Sequence, residues 1–193
     1  MLVICARVDT ACAQAADRAA QTGAITEHLV MPEFPRGWTE SRTVTGQTEV
    51  ADYIPPGQDP KAWKDKITLE VHHAAKNLPL DVYERRALSQ ARANCDGVIE
   101  DRLQSGVNNG YPAAFWRLWC KQEKDANFGE TIYTKAIQGG QALFILTRAW
   151  RMPPFGDDGP TTLSRQESND AVSFLSSAVL CADSSPHPCP PSR

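Results

Sequence analysis

The sequence lacks any run of apolar residues that approaches the roughly 18 needed for a transmembrane helix. It also lacks a large charge of either sign: 20 Lys and Arg stand against 23 Asp and Glu, so the formal net charge is −3. No long block of like charge stands out, which argues against bulk binding to nucleic acid or to an anionic membrane surface. These absences predict a protein with no transmembrane segment and no nucleic-acid partner.

Motifs for common cofactors and catalytic groups are missing as well. The sequence contains no glycine-rich dinucleotide loop, no Walker loop, no G-x-S-x-G nucleophile turn and no H-E-x-x-H zinc motif. It contains no C-x-x-C, which argues against zinc knuckles and thioredoxin-type redox centres. We therefore predict no cofactor and no metal site, and the motifs indicate no class of enzyme.

What is present is the composition of an ordinary globular protein. Of 193 residues, 41% are apolar and 22% are charged, and a chain of this length can bury a core without metals or many disulfides. We predict a single domain over residues 37–181, preceded by a leader segment at 16–36. The tail at 182–193 is rich in proline and is predicted to be disordered.

The first fifteen residues carry part of a signal-peptide pattern. Ala13-Gln14-Ala15 matches the A-x-A cleavage pattern, but the apolar run covers only residues 2–6 before Arg7 and Asp9 interrupt it. A start codon placed too far downstream would explain a good cleavage site behind a poor apolar region. A plain cytoplasmic N-terminus with a chance match is the alternative. We favour a truncated signal peptide at 1–15 and a periplasmic or secreted protein.

The cysteines give a second indication of compartment. Cleavage after Ala15 would remove two of the six and leave Cys95, Cys120, Cys181 and Cys189. Four cysteines allow three complete pairings, and spacing alone does not choose among them. Disulfides fit an oxidising compartment, whereas ordinary buried thiols are the alternative. Because Cys95 falls at a helix end and Cys120 at a strand end, we predict that these two pair, with Cys181 and Cys189 forming a second bridge.

Hydrophobic periodicity predicts a mixed fold with more strand than helix. Strands are predicted over 37–53 with a turn at 46–47, then over 65–73, 98–103, 113–120, 130–138 and 141–151. Turns are predicted at 106–110 and, as a two-residue hairpin, at Gly139-Gly140. Helices are predicted over 79–95 and after a capping box at Ser164 and Glu167. Short links between strands favour a largely antiparallel sheet with helices packed on it, an α+β fold.

Two segments resemble the PsbP/Mog1-like group of proteins. One is Tyr53-Ile54-Pro55-Pro56-Gly57, followed by Trp63 and the strand Ile67-Thr68-Leu69-Glu70-Val71. The other is Lys135-Ala136-Ile137-Gln138-Gly139 running into Leu143-Phe144-Ile145. The resemblance, over residues 37–180, implies a sandwich of helices and sheet that acts by binding, as in a group whose bacterial members include envelope proteins. It supplies no catalytic residues.

The adjacent pair His72 and His73 is a first candidate for chemistry. Neighbours on a strand point to opposite faces, so the two are poor joint ligands for one metal. His72 shares a face with Glu70, which could orient it in a small hydrolase-like enzyme that uses a loop carboxylate as a third group. We favour the simpler interpretation, a half-exposed strand histidine beside a solvated glutamate.

The late strands carry the pattern that we favour as a binding site. Each strand places a cation and an aromatic residue on the same face: Arg117 with Trp119, Lys135 with Tyr133, and Arg148 with Trp150. Paired in one sheet, these residues would form a row of cations between aromatic rings, which are residue types enriched in interface hot spots. The alternative is an outer face whose arginine stems cover apolar neighbours while their heads reach water.

The two interpretations of this row make different structural predictions. If a helix covers the face, each arginine should have a carboxylate beside it, because an unpartnered buried cation is costly. If the face is open, it is the favoured binding surface. The predicted function is that of a non-enzymatic exported domain that binds a ligand or a protein partner in the cell envelope. An enzyme centred on His72 and a purely structural accessory subunit are the alternatives.

Overall fold

The computed structural model describes residues 26–34, 36–159, 163–183 and 186–191. The predicted signal peptide at 1–15 and the leader residues 16–25 lie outside these ranges, so the predicted cleavage site does too. No helix in the described part of the chain is long and apolar enough to cross a membrane.

Strands dominate the described residues, as the sequence predicted. In chain order the elements are β1 (Glu27–Val30), β2 (Thr39–Thr45), β3 (Thr48–Ile54), β4 (Asp65–His72), α1 (Leu80–Asn94), β5 (Val98–Glu100), β6 (Gln104–Asn108), β7 (Tyr111–Cys120), β8 (Gly129–Gln138), β9 (Leu143–Met152), α2 (Arg165–Ser177) and β10 (Val179–Ala182). A short 3₁₀ turn, His73–Ala75, follows β4.

One large antiparallel sheet organises the fold. Its strand order is β2-β3-β4-β9-β8-β7-β5, and β6 also pairs with β7. Helix α1 packs on one face through Tyr83 and Ala87, which contact the cluster around Trp116. Helix α2 packs on the other face through Ala171 and Leu175. The predicted α+β class, a largely antiparallel sheet with helices packed on it, is confirmed.

Local sequence determines where α2 begins. The backbone N–H of Glu167 donates to Ser164 Oγ at 3.1 Å, and the backbone N–H of Ser164 donates to Glu167 Oε2 at 2.8 Å. This is the predicted capping box, which pairs two N–H groups that a helix start leaves without partners. Four residues apart on the helix, Ala171 and Leu175 are fully buried, and burying a leucine stabilises a fold by about 2 kcal/mol. The capping box and this apolar stripe hold α2 against the sheet.

Two predicted turns differ in the structure. The segment predicted as a turn at 106–110 is mostly strand β6, and the hairpin turn is confined to Asn109-Gly110, both with positive φ. Most residues of β6 are exposed and polar, and Gly106 lies in its middle, so its sequence shows no hydrophobic alternation that would predict a strand. The Gly139-Gly140 hairpin is a four-residue loop, because Gln138 lies opposite Leu143. The Glu27 carboxylate accepts the backbone N–H groups of Gly140 and Gln141 at 2.9 Å each, a distant contact that no local sequence signal contains.

The packed fold extends beyond both ends of the domain predicted at 37–181. Within the predicted leader, β1 pairs along its whole length with β10, with Glu27 opposite Ala182 and Val30 opposite Val179. The described part of the tail also packs back: the backbone N–H of Ala182 donates to the carbonyl of His187 at 2.7 Å, and the His187 ring lies 4.0 Å from that of Tyr111. Four-residue strands are too short to give a periodic signal, which is why the sequence suggested a leader and a disordered tail.

Both predicted disulfides are present. Cys95–Cys120 joins the residue after α1 to the last residue of β7, with 5.5 Å between Cα atoms, and Cys181–Cys189 ties the tail to β10 with 4.8 Å between Cα atoms. The first bridge spans 25 residues, so it is expected to stabilise the fold by about 3 kcal/mol through the entropy of the unfolded chain.

Candidate functional site

The predicted row of cations and aromatic residues lies on a single face of the sheet. Tyr133 lies opposite Arg117 on β7 and opposite Arg148 on β9, and Thr131 lies opposite both Trp119 and Trp150. Lys135 follows two residues after Tyr133 on the same face. This is the face on which α2 packs, so the covered-face prediction applies and each arginine should have a carboxylate partner.

Arg148 has such a partner. Its Nη2 donates to Asp65 Oδ2 at 2.9 Å and its Nε to Asp65 Oδ1 at 3.3 Å, with both side chains less than a fifth exposed. The guanidinium also lies 4.7 Å from the ring centre of the buried Trp150. Arg148 and Trp150 therefore belong to the packed interior between α2 and the sheet.

Arg117 is also paired, but it keeps a solvent-facing side. Its Nη2 lies 2.7 Å and its Nε 2.9 Å from Asp101 Oδ2, and its Nη1 lies 3.4 Å from the Tyr133 hydroxyl. The guanidinium stacks on Trp119, 4.1 Å from the ring centre. The side chain remains 32% exposed. Arg117 and Trp119 thus form a stack that Asp101 and Tyr133 hold in place and that remains partly exposed to solvent.

Lys135 is held by the end of α2. It is 8% exposed, and its Nζ donates to the carbonyl oxygens of Leu175, Ser176 and Ala178 at 2.8, 3.2 and 2.7 Å. A lysine ammonium has three donors, so all three are used within the chain. Burial lowers the pKa of Lys135 to about 8. The side chain compensates carbonyls that a helix end leaves without partners and opposes the negative end of the helix dipole.

A groove runs between α2 and the strands at the β7 edge of the sheet, and we call it the α2 groove. It consists of two adjoining cavities of about 560 and 310 Å³, which share Arg117 and Tyr133. Of the six residues predicted from the sequence, Lys135 also lines the larger cavity and Trp119 the smaller, whereas Arg148 and Trp150 line neither.

The second wall of the α2 groove comes from residues that the sequence did not single out. Ser168, Val172 and Ser176 lie four residues apart along one side of α2 and line the two cavities. Val172 is apolar, yet its side chain is 42% exposed. An apolar residue flanked at helical spacing by serines is the signal that could have identified this wall.

The opposite face holds the other sequence candidate, His72. Its Nε2 lies 2.7 Å from Glu70 Oε2, its Nδ1 lies 3.3 Å from Thr48 Oγ1, and its ring centre lies 5.9 Å from that of Tyr83. His73 binds a different carboxylate, with its Nε2 at 2.8 Å from Glu49 Oε1. The two histidines diverge as predicted. A loop carboxylate, the third group of the enzyme hypothesis, is not among the described contacts of His72.

A separate cavity lies between α1 and the sheet, and we call it the α1 cavity; Glu70, the partner of His72, is part of its lining. Its volume is about 330 Å³, and Trp116, Leu118, Ile132 and Ile145 supply apolar walls. Glu70 and Tyr83 lie toward one end, and Glu123 and Glu130 toward the other. Burial, followed by the charge of Glu70, raises the pKa of Tyr83. Because its lining comes from α1, four strands of the sheet and a loop, no local motif marks this cavity.

Known proteins resemble this chain in fold and not in sequence. No family model and no curated protein sequence matches it. Its fold is similar to that of a Pseudomonas aeruginosa protein of unknown function, with a TM-score of 0.47 and 14% identity over 77% of this chain and 94% of that one. It is also similar to the Saccharomyces cerevisiae Ran-binding protein Mog1p, with a TM-score of 0.43 and 12% identity over 78% and 85% of the two chains.

A further similar structure is LpqN of Mycobacterium tuberculosis, a protein involved in cell envelope biogenesis. Its TM-score is 0.43, and the identity is 14% over 83% of this chain and 87% of that one. The Mog1-like group that the sequence resembles is therefore represented among the solved structures to which this chain is similar. Identities at this level describe the fold alone.

Proposed function

We propose that the chain is a non-enzymatic binding domain that works outside the cytoplasm and holds an extended segment of a protein partner in the α2 groove. The observation that carries this proposal is the stack of Arg117 on Trp119, with 4.1 Å from guanidinium to ring centre, on the groove floor. Asp101 and Tyr133 fix the guanidinium in place. Arginine, tryptophan and tyrosine that are already held in position bind with little loss of side-chain entropy and are common interface hot spots.

The dimensions of the α2 groove suit an extended peptide. The positions Ser168, Val172 and Ser176 span about 12 Å along the helix axis, which is the length of about four residues of extended chain. The floor is aromatic and apolar beside Phe115, whereas Asp157 and Asp158 line the smaller cavity. The partner segment should therefore carry apolar side chains along α2 and a basic side chain near Asp158.

Peptide selection tests the α2 groove even though the partner is unidentified. Peptides selected from a displayed random library against the intact chain should bind Arg117→Ala and Val172→Glu about tenfold more weakly, because both changes alter the groove surface. Arg86→Ala, an exposed arginine on α1 at the other face of the sheet, should leave binding unchanged. Melting curves confirm that each variant folds. Selected peptides that bind Val172→Glu as tightly as the unaltered chain would remove the α2 groove from consideration.

The location outside the cytoplasm is supported by the two disulfides, which form and persist in oxidising compartments, and by the Ala13-Gln14-Ala15 pattern. Intact-mass analysis of protein expressed from its own gene should show a chain that begins at Ala16. Cys95, Cys120, Cys181 and Cys189 should all resist alkylation until a reductant is added. An uncleaved chain with alkylatable thiols, found in the cytosol, would contradict the proposed location.

A further inference from the structure

We propose that the α1 cavity binds a small organic cation with an apolar body, of the arylalkylamine class. This site lies on the opposite face of the sheet from the α2 groove, so it is independent of the proposed partner binding. Its volume of about 330 Å³ is in the range of small-molecule sites, which begins near 300 Å³.

The walls of the α1 cavity favour an apolar body. Trp116 and Leu118 on β7, Ile132 on β8 and Ile145 on β9 present their side chains to it, and the Cys95–Cys120 bridge adds further apolar surface. The exposed Gln90 and Asn94 of α1 also line it, so a ligand can enter from solvent on that side. A ring of phenyl size buried against these walls would gain its hydrophobic transfer energy.

The charges around the α1 cavity determine the sign of the ligand. Three carboxylates line it, those of Glu70, Glu123 and Glu130, whereas its lining contains neither lysine nor arginine. Glu130 accepts from Arg151 Nε at 2.8 Å, and Glu70 pairs with His72. An anionic ligand would be repelled by this lining, and a cation would be attracted.

Glu123 is the carboxylate best placed to hold an ammonium group. Among the described residues, no side chain forms a hydrogen bond or ion pair with its carboxylate. Burial, followed by the nearby charge of Glu130, raises the pKa of Glu123, so a cation beside it would relieve an unfavourable charge. Trp116 and Tyr83, with ring centres 6.2 Å apart, lie toward the other end of the cavity, where they can pack against the ring of a ligand whose ammonium group lies beside Glu123.

Three matched compounds test the proposal: 2-phenylethylamine, 2-phenylethanol and phenylacetate share a ring and differ in charge. Titrated into the intact chain at pH 7 and followed by calorimetry and tryptophan fluorescence, the amine should bind at about 1 mM or better and about tenfold more tightly than the alcohol. The acid should not bind. Equal affinity for amine and alcohol, or no saturable binding of the amine, would overturn the proposal.

Variants locate the site of binding. Glu123→Gln should weaken binding of the amine about tenfold and leave that of the alcohol unchanged, since only a charge is removed. Ile132→Trp, or Ala91→Leu if the former does not fold, should abolish binding of both by filling the cavity. Glu33→Gln, an exposed carboxylate outside the cavity lining, is the matched control. If it weakens amine binding as much as Glu123→Gln does, the attraction is that of the whole chain and the α1 cavity is not the site.

Discussion

Asp65→Ala is expected to lower the free energy of unfolding by about 3 kcal/mol, because it leaves the Arg148 guanidinium buried without its carboxylate. The pair makes two N–H to oxygen contacts, at 2.9 and 3.3 Å, with the arginine 14% and the aspartate 18% exposed. Removing one member of such a pair is far more damaging than removing both, since the remaining charge keeps its desolvation penalty. Urea denaturation at pH 7 measures the loss.

The double variant Asp65→Leu with Arg148→Met should therefore recover most of that stability. Apolar residues of similar size often replace a buried ion pair without loss. Arg85→Ala is the surface control: Arg85 pairs with Asp81 at 2.7 Å on α1, but both side chains are more than half exposed, so the change should be below about 0.5 kcal/mol.

An Asp65→Ala effect no larger than that of Arg85→Ala would show that the Arg148 head is hydrated. In that case the interpretation of the row as arginine stems covering apolar neighbours, with heads in water, would be the right one for β9.

Strand periodicity was sufficient to place the row on one face. Alternation fixes the side to which each residue points, and the links between β7, β8 and β9 are short enough that these strands pair in order. Arg117, Tyr133 and Arg148 accordingly lie opposite one another. Alternation does not tell which face a helix covers, so the sequence left burial and exposure open. The partner of Arg148 is 83 residues away on β4, beyond any local pattern.

The ends of elements were also informative, which is why the Cys95–Cys120 pair could be predicted. A cysteine after a helix and another at a strand end meet when that helix packs on that strand, as α1 does on β7. The α1 cavity had no such signal. Its polar groups come from β4, α1, β8, β9 and the loop after β7, and a set brought together only by tertiary packing has no fixed spacing in sequence.

Lys135→Met is expected to lower the free energy of unfolding by about 2 kcal/mol. The ammonium donates to three carbonyls at the end of α2, and hydrogen bonds from a charged donor contribute about 1.5–3 kcal/mol each. Methionine fills a similar space without donating, but it also removes the desolvation penalty of the charge, which offsets part of the loss. Lys121→Met, a lysine that pairs with the exposed Asp157, is the control and should change stability by less than about 0.5 kcal/mol.

The pH dependence of stability distinguishes a buried ammonium from a merely well-packed side chain. Burial lowers the pKa of Lys135 from 10.5 to about 8 in the folded chain. Between these values the unfolded chain holds the proton and the folded chain has released it, so this group makes stability rise as pH increases through that interval. Above pH 10 the raised pKa values of Tyr83 and Tyr111 act in the opposite direction, because the folded chain then keeps protons that the unfolded chain loses.

The informative comparison is therefore between pH 7.5 and pH 9.5. In the unaltered chain and in Lys121→Met, the contribution of Lys135 should raise the urea midpoint over this interval, and in Lys135→Met that rise should be absent. Subtracting the two titrations cancels groups that both variants share. Parallel curves for Lys135→Met and the unaltered chain would show that the pKa of Lys135 is not lowered, because water or the carbonyls at the end of α2 offset the desolvation of its ammonium.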